Sequence, residues 1–168
     1  MASAFDGQLV ISNTRTSAQQ SFPVALQFAF AEQAQPAGIW AVTVAGVGPE
    51  QFPVSAAGMN DTITATPSAV TGAYDSQHGA MSLTLNVLFT DTGGHLPAGG
   101  ELIMFALSTS GAITQQSAGM DAQGSALSAQ GDITLVGAAK ITVNVAIFQV
   151  GVTIGLKLIG TLAPRPAV

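Results

Sequence analysis

The chain has 168 residues, within the usual span of about 100 to 200 for one domain, and 48 % of them are hydrophobic, so a folded core is expected rather than disorder. Lys, Arg, Asp and Glu together make up only 8 %, against about 25 % in ordinary soluble domains. Four basic residues facing nine acidic ones leave no patch that would neutralise several phosphates, and the lack of cysteine removes disulfides and thiolate chemistry, so neither nucleic-acid binding nor attraction to an anionic membrane is expected.

At the start, Met1 to Gly7 lacks the basic and apolar stretches of a secretory signal, and no segment approaches the roughly 20 apolar residues of a spanning helix. A place inside the cell, export without such a signal, or an already processed chain are the expectations. Gln8 to Ser12 reads as a short strand. The strongest local signal follows: Phe22, Val24, Leu26, Phe28 and Phe30 alternate with Pro23, Ala25, Gln27, Ala29 and Ala31. Alternation sends successive side chains to opposite faces of a strand, whereas a helix would scatter the large ones around its circumference. Pro23 predicts an edge position or a strand beginning, because it has no N–H for a central ladder.

Ile39 to Val44 is a further strand, with Trp40 in its apolar pattern and so expected in the core. The triplet Asn60-Asp61-Thr62 matches a glycosylation pattern but reads as a turn leading into the strand Thr62 to Thr66. Tyr74, near a turn, is expected at the surface as a contact residue. Met81, Leu83, Leu85, Val87 and Phe89 alternate with Ser82, Thr84, Asn86 and Leu88, a second clear strand. Leu102 to Leu107, Ile133 to Val136, Ile141 to Ile147 and Val152 to Leu158 complete the set. Turn residues separate them at 35–38, 46–49, 93–94, 99–100 and 131–132. Ser108 to Gln130 fits neither period and is expected as a loop or a short helix. A single all-β domain over 1–168 follows, either an antiparallel sandwich or a closed barrel of about 8–10 strands with little or no helix.

One internal similarity stands out: 79–87 reads GAMSLTLNV and 137–145 reads GAAKITVNV. Chance recurrence in a chain rich in Ala, Thr and Val explains a match confined to nine positions; a duplication would make the two strands equivalent.

Candidates for chemistry are few. His78 lies near Asp75 and His95 near Asp91, but the strand between them would hold the two pairs roughly 40 Å apart if straight, so a shared metal site is not expected. Asp91-Thr92-Gly93-Gly94 and Asp121-Ala122-Gln123-Gly124 lack the acidic series of a calcium loop and read as turns. No nucleophile elbow, Walker loop or dinucleotide fingerprint occurs. Neither a catalytic residue nor a cofactor is predicted.

The neutral surface carries the functional expectation. Apolar residues on both faces of the last two strands imply that both are covered. This points to a non-catalytic structural or interaction protein, a homo-oligomer or larger assembly joined through Ile141 to Ile159, with Ala146, Phe148, Val150, Ile159 and Tyr74 as the contact residues. The alternatives are a barrel carrying a small apolar ligand or lipid and a β-structured toxin whose strands insert into membranes.

Overall fold

The computed structural model describes residues 2–14, 19–56, 59–75, 77–109 and 131–164. Nine strands occur among them: β1 (Ala2–Asn13), β2 (Gln19–Glu32), β3 (Ile39–Ala45), β4 (Glu50–Ala56), β5 (Met59–Asp75), β6 (Ala80–Asp91), β7 (Glu101–Thr109), β8 (Gly131–Val145) and β9 (Phe148–Pro164). All pair antiparallel in the order β3-β2-β1-β9-β8-β7-β6-β5-β4, and β3 also pairs with β5. That last pairing closes β1, β2, β3 and β5 to β9 into an eight-stranded barrel, with β4 as an extra strand beside β5. Of the two architectures expected from sequence, the barrel is the one formed.

Alternation decides which face turns inward. Met81, Leu83, Leu85, Val87 and Phe89 of β6 are buried, and Val152, Ile154, Leu156, Leu158 and Leu162 of β9 join them. Ser82 and Lys157, one residue out of phase, are exposed. Phe5 of β1 lies across Gly7 and Gly160, which face each other in the β1–β9 register. A Cβ on Gly7 would stand 2.7 Å from the end of the Phe5 ring and 2.2 Å from the Ile159 carbonyl oxygen, so only glycine leaves room there.

The two ends of the barrel differ. At the upper end, which carries the β2–β3 and β5–β6 connections, the wall is complete. Gln27 to Glu32 of β2 pairs with Ala45 to Trp40 of β3, and Thr43 to Ile39 pairs in turn with Thr71 to Asp75 of β5. Inside it, Phe5, Phe28, Phe30 and Tyr74 form a chain of rings with centroids 5.7, 6.4 and 5.8 Å apart.

At the lower end the wall divides. Beyond the 46–49 turn, β4 continues along the same edge of β5 that β3 occupies higher up, from Glu50↔Ala65 to Ala56↔Met59. It does not rejoin β2. Gln19 to Leu26 of β2 therefore pairs with β1 on one side only, among the described residues. A bulge between Pro67 and Ala69 marks the place on β5 where the change occurs. The result is a lateral slot between the first half of β2 and β4.

Several expectations change here. Tyr74 is buried, 6 % exposed, its ring packed edge-on against Phe30, because its position on β5 faces the lumen and not the nearby turn. Asn60-Asp61-Thr62 lies inside β5, which already begins at Met59. In the similar segments, Thr84, Asn86, Thr142 and Asn144 do occupy the less buried face. Gly79, however, sits in a turn at φ 63° while Gly137 lies in mid-strand, so the two strands are not structural equivalents. Of the segment expected as a loop or short helix, 110–130 lies outside the described residues.

Candidate functional site

The slot leads to a cavity in the lumen. Its walls come from β1 to β7 and β9, and every lining residue except Glu50 is apolar or glycine. Leu9, Ile11, Leu83, Leu85, Leu156 and Leu158 form the deep part and are buried. The half-exposed members, Val24, Val44, Val47, Glu50, Pro67 and Val70, flank the slot and so define the mouth. The cavity, together with the open solvent at its mouth, spans ≈ 620 Å³.

The chemistry of this wall is uniform. An apolar lining gives a guest no hydrogen-bond partner, so a polar group brought inside would lose its hydration without replacement. A polar end is tolerated only at the mouth, where the single charge is the carboxylate of Glu50. Lys140 and Lys157, the only lysines or arginines among the described residues, lie on β8 and β9, separated from the slot by β1 and β2. No described cation stands at the slot to pair with an anionic head.

Proline guards the two edges of the slot. Pro23 occupies the half of β2 that lacks a second neighbour, and Pro53 lies on β4; both are exposed. Without an N–H, neither position can donate to an added strand, which blunts an open edge in a chain with almost no lysine. The edge position predicted for Pro23 is where it stands.

A second feature lies at the lower end. Asp61 of β5, Asp91 at the end of β6 and His95 in the β6–β7 connection place one donor atom each within 4.8 Å of the others. His95 Nδ1 is 2.8 Å from Asp61 Oδ2, and Asp61 Oδ1 accepts from the Thr62 N–H at 2.7 Å and the Thr92 hydroxyl at 3.3 Å. Asp91 Oδ2 accepts the N–H groups of His95 and Leu96. Burial by itself would raise the Asp61 pKa. The hydrogen bonds from His95, Thr62 and Thr92 outweigh it and hold this carboxyl at about 2.

The cluster acts as a clamp. It fixes the 92–100 connection, whose His95 carbonyl oxygen accepts the Asn144 N–H at 2.6 Å. Beside it, Glu101 Oε2 accepts the Thr142 N–H at 3.0 Å. These two bonds matter because the β7–β8 ladder comprises only Ser108↔Val136 and Thr109↔Leu135. Lower down, the connection and a carboxylate take the place of strand pairing.

The separation of the two histidines holds. His78 Nδ1 lies 2.6 Å from Asp75 Oδ2 at the upper end, and the Asp75 Oδ1 accepts the Gln77 and His78 N–H groups, as in an ordinary turn. Asp61 was the member that local reading missed. It lies 34 residues before His95 and reaches it only through the β5–β6 register, for which no short motif exists. Asp91-Thr92-Gly93-Gly94 is part of this clamp, and 121–124 lies outside the described residues.

The contact residues expected in the last hairpin are placed unevenly. Phe148 and Val150 share the inward phase of Val152 and Ile154, so they are not on the outer face assigned to them from sequence. Val150 packs against the core, while Phe148 projects past the barrel rim and is 68 % exposed. Ala146 is an exposed turn residue, and Ile159 does face outward. Leu102 and Met104 on β7 are large exposed apolar side chains outside this hairpin. No protein-family profile matches the chain, and no curated protein is significantly similar to it.

Proposed function

We propose that this protein is a non-catalytic carrier that holds a small, uncharged apolar molecule in the barrel lumen and exchanges it through the slot between β2 and β4. The observation that supports this reading is the apolar cavity whose mouth coincides with the slot between β2 and β4. Barrels of this strand number leave room for side chains or for one small ligand, and here part of the room is unfilled. Transfer of an apolar guest from water supplies roughly 25 cal/mol per Å² buried, enough for useful affinity without any polar contact.

Native mass spectrometry of the purified protein, followed by NMR titration with 1-hexanol and with hexanoate, tests it. The alcohol is expected to shift resonances of Leu83, Leu85 and Leu156, and hexanoate to bind at least about tenfold more weakly, since its charge would be desolvated or placed near Glu50. Val70→Phe, which fills the mouth from a half-buried position, should abolish the shifts and leave the fold intact. Saturating alcohol without any shift of lumen resonances would overturn the reading.

A self-associating structural role is the second reading, favoured by Leu102 and Met104, 64 % and 65 % exposed, beside Leu88 of the neighbouring strand. It moves the surface from the last hairpin to the β6–β7 wall. Light scattering of the wild type against Leu102→Ser/Met104→Ser discriminates: an assembly lost in the variant supports it, and a monomer at high concentration removes it. For the toxin alternative, the polar outward positions Ser82, Thr84, Asn86, Thr142 and Lys157 do not make a lipid-facing wall.

A further inference from the structure

The turn between β8 and β9 is built against the usual rules. Val145 and Phe148 pair, so the connection is the two residues Ala146 and Ile147. Two-residue hairpins favour Gly, Asn or Asp where φ is positive, yet here Ala146 holds φ at 54°, the single non-glycine residue with positive φ among those described. The next residue, Ile147, is 91 % exposed, and Phe148 is 68 % exposed. A strained backbone position, an aliphatic apex and a neighbouring aromatic ring all stand in water at one point. From Ile141 to Leu156 there is no charged residue at all.

We infer that this hairpin tip is a membrane-contact element that inserts Ile147 and Phe148 into the interface of an uncharged lipid surface. Three observations select lipid over a protein partner. A stable protein interface needs about 800 Å² from each side, several times what a three-residue convex apex offers, and a second copy of the tip would meet it point to point. A bilayer needs no complementary groove, since its boundary accepts a convex apolar projection of any shape. The charge balance, −5 overall with no charge in the hairpin arms beside the tip, fits zwitterionic lipid and disfavours an anionic one.

Position adds a consequence. The tip lies at the lower end, as do Asn13 of β1 and Gln19 of β2, and β9 is separated from β2 by β1 alone. In the β1–β9 register Asn13 faces Ile154, six residues along β9 from Phe148, so the hairpin reaches roughly 20 Å beyond the end of β1 at about 3.3 Å per residue, and the tip meets a surface before that part of the wall does.

The test is co-sedimentation of the full chain with phosphatidylcholine vesicles, with and without phosphatidylserine, at low and high salt. Binding to phosphatidylcholine alone is expected, unchanged by salt and not strengthened by phosphatidylserine. Ile147→Ser should weaken it about tenfold, Ile147→Ser/Phe148→Ser should remove it, and Ile147→Trp should strengthen it. Ile147 touches too little of the fold for its replacement to unfold the chain, which circular dichroism would verify. Binding that persists in the double variant, binding that requires phosphatidylserine and fades with salt, or no binding by the wild type would each overturn the inference. A dimer seen without vesicles and lost in the double variant would also overturn it, in favour of a second copy. Hexanol uptake by the lumen is measured separately, so failure here leaves the carrier reading standing and the reverse.

Discussion

The upper and lower ends of this barrel are built from the same strands and the same alternating pattern, yet one is sealed and the other is open. In the upper part, β3 bridges β2 and β5, and aromatic rings from β1, β2 and β5 occupy the lumen in contact with one another. In the lower part β4 follows β5 alone; Phe52, Phe89 and Phe105 form a second chain of rings there, with centroids 6.4 and 5.9 Å apart, and the cavity lies beside them among aliphatic side chains. Closure thus depends on whether one edge finds two partners, which alternation alone does not decide.

The largest expected effect that would break this contrast is on packing. Phe28→Ala in the sealed part should cost about 4 kcal/mol, whereas Leu85→Ala, beside space that already exists, should cost about 2 kcal/mol. Urea unfolding of both variants measures the difference. Equal costs would mean that the lower lumen is packed as tightly as the upper. Leu85→Ala should in addition strengthen uptake of 1-hexanol by enlarging the cavity.

A smaller effect comes from the clamp at the open end. The Asp61 carboxyl is held at about 2 in the fold, below its ordinary 3.8. A depressed acid contributes stability above its unfolded pKa and loses it as pH falls through the folded one. Stability should therefore decline between about pH 4 and pH 2, by about 1 kcal/mol once solvent screening at the barrel rim is allowed for. Asp61→Asn should lower stability at neutral pH and flatten that decline. Thermal melts across the range would show it, and an unchanged acid limb in the variant would dissociate the clamp from acid sensitivity.

The smallest effect on stability, though not on behaviour, belongs to the edges. Pro53→Val should alter unfolding by no more than about 0.5 kcal/mol, since Pro53 is exposed on an edge strand. It should nevertheless raise aggregation on prolonged incubation, because it restores an N–H on an unguarded edge. Light scattering over time would detect this. Identical traces for variant and wild type would show that the slot edges are protected in some other way.

Strand identity was legible wherever alternation was strong. Phe22 to Ala31 and Met81 to Phe89 lie within β2 and β6 with the predicted faces, because a period of two is a local property of the backbone. Tyr74 was misjudged since nearness to a turn in sequence says nothing about which face of a long strand a residue occupies. The outward assignment of Phe148 and Val150 failed for a related reason: a one-residue change of phase exchanges the two faces, and only the register with β8 sets it.

The cavity and the clamp were legible only in part: the apolar faces of Met81 to Phe89 and Val152 to Leu158 and the nearness of His95 to Asp91 could be read locally, and their partners could not. Each joins residues far apart in the chain, Leu9 with Leu158 in one and Asp61 with His95 in the other. The low charge and the alternation by themselves determined a neutral, all-β chain. Closure into a barrel, the single pairing of β3 with β5 that achieves it, and the slot left where β4 turns away were decided only by tertiary structure. The physical reason is that strand partners are chosen by contacts distant in sequence, which local backbone preference does not encode.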